Sequence, residues 1–399
     1  MSKKNRKWLV FTIMCLAYMP GSYAQYQLSV YASELIQSFG LTTSQFSSLF
    51  TAPMIVAIFL SFVGGMISDK VGSKKVINIS FVIAGIGMIG RVFANSYMPF
   101  FLCMALTGFS NMFVNINASK ITASWFEQEK LGILMGIFAF CGQLPGAFAT
   151  ATTAVLFDSR TSAFIVSAIF CISVFVLWLL FVKDRPEDTM EEREKIDQEN
   201  QPSIGDSLKV VLSNKGVWLV SICIMMALGS TVTLSTFMPV ALQTMYGIDM
   251  KVCGTIASML TLGNCIGSIT GPIVFSKIKN VKVFVSGAAV LSFAGIIMCW
   301  RFPSIFVLHI LVLYTGIMLG ASRPIFLSAP VLLEGLGTKY AGSAAGVIST
   351  LQLLGAVLIP TYILTPIAGE NYSLLFMLAS ICMVIMFLCG HPQFGNNQK

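Results

Sequence analysis

The chain has 399 residues, of which 56% are hydrophobic and only 11% charged, with a formal net charge of +8. Soluble domains run near a quarter charged, so a soluble enzyme or binding module is excluded and an integral membrane protein is expected. The basic excess invites a nucleic-acid partner, but its placement along the chain rejects that reading, as shown below.

A membrane-crossing helix takes about 20 apolar residues, and the bilayer core leaves no unpaired backbone tolerable, so helices are the expected elements. Twelve spans are predicted in chain order: 8–31, 44–68, 76–94, 99–121, 131–156, 161–182, 215–244, 252–276, 283–301, 304–327, 340–365 and 371–390. Span 1 has a basic start and a small-residue SYA stretch, as a signal peptide would, but its apolar run continues to Tyr31 and reads as a retained helix. It carries Tyr18, Tyr23, Gln25, Tyr26 and Gln27 around Pro20 and Gly21.

After span 2 the chain reads GGMISDKVGSKKV, with Gly65, Asp69, Lys70, Gly72, Lys74 and Lys75 in a tight loop. Gly65 allows close helix packing, Asp69 sits at a helix end and Gly72 permits a sharp turn. Span 3 ends at Arg91. Span 4 holds Asn111, Asn115 and Asn117, and is followed by WFEQEKLGILMG from Trp125 to Gly136. Span 5 carries Gln143 within GQLPG. Residues 183–214 are polar and charge-rich and read as a linker with room for a short helix, dividing the chain into halves 1–182 and 215–399. In the second half the polar groups are Thr231, Thr233 and Thr236 in span 7, Asn264 in span 8, Arg323 beside Pro324 in span 10 and Gln352 in span 11. Pro324 is expected to break the helix ladder there.

The 25 Lys and Arg residues alternate with the spans. With the N-terminus inside, all but Arg91, Arg160, Lys251 and Arg301 fall on the cytoplasmic side, which is the positive-inside rule and puts both termini in the cytoplasm. The 17 carboxylates all lie in loops, at span ends or in the linker, and none is mid-span. A proton-driven carrier usually uses such a group as a relay, so its absence favours uniport, exchange or symport of an already protonated cargo. The ten Cys are scattered without a CxxC pair and read as small hydrophobes. No nucleophile, metal or cofactor constellation is expected.

The chain also echoes itself. Trp8-Leu9-Val10 recurs 210 residues later as Trp218-Leu219-Val220, and AGIGMIGRVF ending at Phe93 as AGIIMCWRF ending at Phe302, which pairs Arg91 with Arg301. Gly132 and Gly136 recur as Gly342 and Gly346, and Thr107-Gly108 as Thr315-Gly316. A duplicated hydrophobic half-molecule is the build of a carrier that binds cargo between two rocking halves, here of parallel topology.

Twelve spans, a 6+6 duplication and the Gly65–Lys75 loop resemble the major facilitator superfamily over the whole chain. The resemblance implies that the acidic Asp69 latches the cytoplasmic side, with Lys70, Gly65, Gly72 and Lys74 as gating residues. Ser73 stands where that family has a basic residue, which bears on the strength of the latch. The second-half copy, GPIVFSKIKNVKV from Gly271, lacks the acid. The segment from Trp125 to Gly136 is similar to that of the organic-anion, nitrate/nitrite and cyanate branches. The fold implied is an all-α membrane protein of two pseudo-symmetric six-helix bundles.

Charges inside a membrane are costly unless they work or snorkel. Arg91 and Arg301 are read as snorkelling anchors, with an electropositive vestibule as the alternative. Arg323 is read either as a cation at the cytoplasmic end or, opposite Asn115, as an anion-binding group, because guanidinium grips carboxylates bidentately. The expected cargo residues are Arg323, Asn115, Tyr23, Tyr26, Gln143, Asn111 and Gln352. The expectation is a carrier of a small anion such as a carboxylate, monomeric in a bacterial plasma membrane, with the lipid bilayer and the solute as partners and no nucleic acid. An exporter of drugs or other neutral or cationic compounds would leave an acid in the path. A carrier-derived sensor would show a longer extension than the short tail after Gly390.

Overall fold

The computed structural model describes residues 3–182, 204–332 and 337–393; within these, the side chains of residues 3–5, 61–63, 65, 66, 69, 70, 128–133, 204–208, 328–332, 337–342 and 391–393 are outside the description. Among the described residues the secondary structure is helical throughout, as the lipid constraint requires. The helices are α1 (Lys3–Ala17), α2 (Met19–Val30), α3 (Ala32–Phe39), α4 (Thr43–Val71), α5 (Ser73–Phe93), α6 (Tyr97–Trp125), α7 (Gln128–Leu156) and α8 (Arg160–Phe181). They continue with α9 (Ile204–Ser213), α10 (Lys215–Tyr246), α11 (Met250–Ile278), α12 (Val281–Met298), α13 (Ile305–Leu332), α14 (Gly337–Leu358), a π-helical turn Ile359–Leu364, α15 (Thr365–Ala368) and α16 (Tyr372–Gln393).

Eleven helices among the described residues are long and apolar enough to cross a membrane. The twelfth span is the broken pair α1 and α2. It was expected as one helix over 8–31 and is interrupted at Tyr18, whose N–H falls back on Cys15 O at 3.3 Å. The cause is Pro20, which has no N–H to donate and whose ring crowds the carbonyl four residues earlier. The expected break at Pro324 is absent, because α13 runs through it to Leu332.

Local chemistry sets the ends. Ser159 Oγ accepts from Ser162 N at 3.2 Å, Asp249 Oδ1 from Lys251 N at 2.8 Å and Asn280 Oδ1 from Val283 N at 3.2 Å, each capping donors that a helix leaves unpaired. Gly72, at φ 94°, makes the turn from α4 to α5. Within the segment expected as a linker, α9 is helical, and Leu212 O accepts from Trp218 Nε1 at 2.8 Å; residues 183–203 lie outside the described residues.

The chain forms two units, Met1–Leu41 with Ser48–Glu192 and Thr42–Ser47 with Arg193–Lys399. The first is centred on an apolar cluster that includes Phe11, Met14, Phe81, Phe113 and Trp178. Phe81 stacks on Phe175 with centroids 5.4 Å apart. In the second, glycines bring α11 and α13 into backbone contact: a Cβ on Gly263, Gly267 or Gly271 would meet the carbonyl oxygens of Leu313, Ile317 and Ala321 at 2.1–2.3 Å. The same device is used in both units. Gly108 of α6 lies on Pro53 O of α4, and Gly316 of α13 lies on Leu260 O of α11. Outward-facing Phe59, Phe93, Leu180 and Phe306 are more than two-thirds exposed, as lipid-facing side chains should be.

Candidate functional site

The break at Tyr18 makes α2 a short helix with three working faces. Towards α6, Asn111 Nδ2 donates to Ser22 Oγ at 3.0 Å, and the Asn111 amide lies on Gly21, where any Cβ would collide with it. Towards α7, the Tyr18 ring covers Gly142 and the Tyr26 ring covers Gly146. The Tyr26 ring also meets Phe50 of α4 edge-on at 5.4 Å, and the neighbouring Gln25 Nε2 donates to Phe50 O at 2.8 Å. The structure thus gathers Asn111 and Tyr26 around α2, with Gln143 half-buried one residue beyond Gly142. Asn115, one helical turn from Asn111 and on the same face of α6, is exposed. Tyr23 is not brought into this group: it points the other way, to Phe170 of α8 at 6.4 Å.

The third face of α2 holds a group that the sequence reading did not anticipate. Arg91, expected at the interface as a snorkelling anchor, is 1% exposed. Its Nη1 donates to Ala24 O at 3.0 Å and its Nη2 to Gln27 Oε1 at 3.0 Å and to Ser167 Oγ, while Phe164 lies under the guanidinium at 4.4 Å. Gln27 Nε2 completes the tie by donating to Ala163 O at 3.2 Å. The repeat partner Arg301 is exposed and rests on the Trp300 ring at 5.4 Å, so the two arginines share an alignment and not an environment. Gln27 and Ser167, two uncharged hydrogen-bonding side chains inside apolar spans, were the available signal for a buried arginine.

At the Gly72 turn, Ser68 Oγ accepts from Asn117 Nδ2 at 3.0 Å, which fastens the end of α4 to α6. Lys74 is half-buried at the start of α5. The side chains of Gly65, Asp69 and Lys70 lie outside the described residues, as does the latch expected of them.

In the second unit, Arg323 is half-buried on α13, just beyond the glycine seam with α11 and nine residues before the helix ends at Leu332. It stands inside the helix and not at its terminus. Gln352 is buried on α14, which packs on α13. The threonines of span 7 do not present free hydroxyls: Thr231, Thr233 and Thr236 donate to Ala227 O, Gly229 O and Val232 O of their own helix at 2.7–2.8 Å. The same unit contains a cluster of hydroxyls at the start of α4. Thr43 Oγ1 donates to Gly369 O at 3.0 Å, and Ser44 and Ser47 share hydrogen bonds with Thr365 and Thr361 at 2.9 Å. Beneath them Phe46 packs on Phe237 at 5.8 Å. The π turn supplies Thr361, and such turns recur where a helix must present groups out of α register.

Twelve apolar spans in two units that reuse one packing device, with polar side chains gathered on a broken first span, define a carrier of solutes across a membrane. The chain belongs to the Major Facilitator Superfamily, whose match covers residues 10–360. It is 23% identical over 364 residues to the "Probable sulfoacetate transporter SauU" of Cupriavidus necator, covering 86% of this chain and 83% of that one. It is 22% identical over 309 residues to the galacturonate transporter of Dickeya chrysanthemi, covering 74% and 90%. The fold is similar to that of a bacterial homologue of the human lysosomal transporter Spinster, with a TM-score of 0.81 at 13% identity over 98% of both chains. The protein is a multi-pass membrane transporter and not an enzyme.

Proposed function

We propose that this transporter carries a small organic anion, a carboxylate or sulfonate of the size of sulfoacetate or galacturonate, across a bacterial inner membrane. It works as a monomer with both termini in the cytoplasm. The observation that carries the reading is the charge of the spans: Arg91 is buried near the end of its span and Arg323 half-buried near the end of its own, while among the described residues no Asp or Glu lies in a span interior. A cation kept within a membrane protein marks a cargo or relay site, because holding it there is costly. The relatives' printed substrates point the same way, since both are anions.

Arg323 is assigned the neutralising role, because it is half-buried inside α13 and its planar fork matches a carboxylate or sulfonate with two parallel hydrogen bonds. Asn111, Asn115, Tyr26, Gln143 and Gln352 supply hydrogen-bonding capacity to the cargo, and Tyr23 stands behind them against α8. Asp69, Lys70 and Lys74 by the Gly72 turn, with Gly65, are assigned to gating.

The test is uptake of radiolabelled galacturonate and sulfoacetate into proteoliposomes. Arg323→Ala should abolish uptake. Arg323→Lys keeps the charge and loses the fork, and should lower uptake at least about tenfold, the cost of one good charge-assisted hydrogen bond. Native rates in both variants would refute the assignment.

A further inference from the structure

Arg91 poses a problem that its hydrogen bonds do not solve. It sits two residues from the end of α5, sealed among α2, α5 and α8 at 1% exposure. Its acceptors, Ala24 O, Gln27 Oε1, Ser167 Oγ and, at 4.0 Å, Met104 Sδ, are all neutral, and Phe164 offers only a ring face. Its Nε is buried with no acceptor at all. The side chains that face it include Cys171, Cys103 and Tyr23, none of them a carboxylate. Among the described residues no carboxylate pairs with it, whereas Arg160 has Glu34 at 3.6 Å.

A buried cation without a counter-charge is among the costlier groups a fold can hold. Tying three helices together does not require one. Gln27 makes the same kind of tie to Ala163 O with a neutral amide. What arginine adds to such a tie is its charge. In a dry, apolar surrounding the field of that charge falls slowly and is little screened by salt. It stands directly behind α2, whose other faces carry Ser22 and Tyr26 in the group built around Asn111 and Gly146.

We propose that Arg91 is a specificity-determining residue: a deliberately un-neutralised positive charge, held behind the broken first span, that favours anionic over neutral cargo without touching it. The inference rests on the anionic-cargo reading above and adds a second cation acting at a distance, distinct from the contact assigned to Arg323.

A near-isosteric change separates charge from structure. Gln27→Glu places a carboxylate on the atom that already accepts from Arg91 Nη2, so the charge is cancelled and this bond strengthened, while the Gln27 Nε2 bond to Ala163 O is given up. In proteoliposomes, with galacturonate or sulfoacetate, whichever the native protein carries, Gln27→Glu should keep a cooperative melting transition, the new ion pair offsetting the lost amide bond to Ala163 O. It should also raise KM about tenfold, the scale of one unit charge acting across a helix at protein dielectric. Arg91→Lys keeps the charge and loses the fork, so its melting temperature should fall while KM stays within about twofold of native. If Gln27→Glu loses that transition, Ser167→Asp brings the counter-charge from α8 and is read the same way. An unchanged KM in a stably folded counter-charge variant, with native uptake of the anion intact, overturns this inference alone. A native protein that carries no organic anion overturns it together with the reading it rests on.

Discussion

A Cβ on Gly108 would stand 2.4 Å from Pro53 O, and one on Gly316 would stand 2.2 Å from Leu260 O. In both cases the obstacle is backbone, which cannot swing aside as a side chain can. Gly108→Ala and Gly316→Ala should each destabilise by about 1–3 kcal/mol, the usual cost of overpacking, seen as a lower melting temperature in detergent. Gly346→Ala is the control: open space surrounds it, and exchanging a helical glycine for alanine should if anything stabilise by about 0.5–1 kcal/mol. The repeat in the sequence named all three glycines without ranking them. Gly136 and Gly346 agree between the halves and touch nothing, whereas Gly108 and Gly316 agree and hold helices together. Arg91 and Arg301 agree in letter and differ wholly in burial. Identity of residue survives duplication more readily than identity of surroundings, and the surroundings depend on side chains such as Gln27 and Ser167 that have no counterpart in the aligned letters.

At the scale of the helix, the spans were legible because each needs about 20 apolar residues and nothing else in a bilayer satisfies the backbone. Irregularities within spans were not, although proline is their usual cause. Pro53, Pro145, Pro239 and Pro272 lie inside continuous helices, as does Pro324, while Pro20 accompanies the break at Tyr18 and Pro360 the π turn. Proline removes one hydrogen bond wherever it stands; whether the helix then yields depends on what the neighbouring helices offer the freed backbone. At the π turn the offer includes the hydroxyls of α4. The bond between Ser47 and Thr361 is fully buried at 2.9 Å. Ser47→Ala and Thr361→Val should each cost about 0.5–1.5 kcal/mol, the net worth of a buried hydrogen bond. The double variant should cost less than the sum, and a thermal-denaturation double-mutant cycle would show the coupling. Strict additivity would mean that the two hydroxyls do not hold each other.

Across the whole molecule, charge decides more than shape does. The scarcity of charge within the spans could be read from the sequence, because it follows from the cost of moving ions into lipid. For the candidate site the polar residue types were legible and their directions were not. Asn111 bonds Ser22 of α2 and Tyr26 lies on Gly146 of α7, whereas Tyr23 is turned to Phe170 and the threonines of span 7 are spent on their own helix, and periodicity does not tell which face of a buried helix is turned to which neighbour. With no Asp or Glu in a span interior among the described residues to shuttle protons, exchange of labelled against unlabelled anion across proteoliposomes should persist when a protonophore collapses the pH gradient. Complete loss would point to another titratable group, and His309, bonded to Thr255 at 3.3 Å, is where to look.

The hydroxyls at the start of α4 have one more consequence, and it concerns birth and not transport. Ser47 and Thr361 are separated by 314 positions. A chain emerging from the ribosome therefore inserts α4 long before the groups that complete its first turns exist. Six residues, Thr42–Ser47, belong to a unit whose remainder begins at Arg193. Thr43, Ser44 and Ser47 therefore gain Gly369, Thr365 and Thr361 as partners only when their unit is complete, late in synthesis.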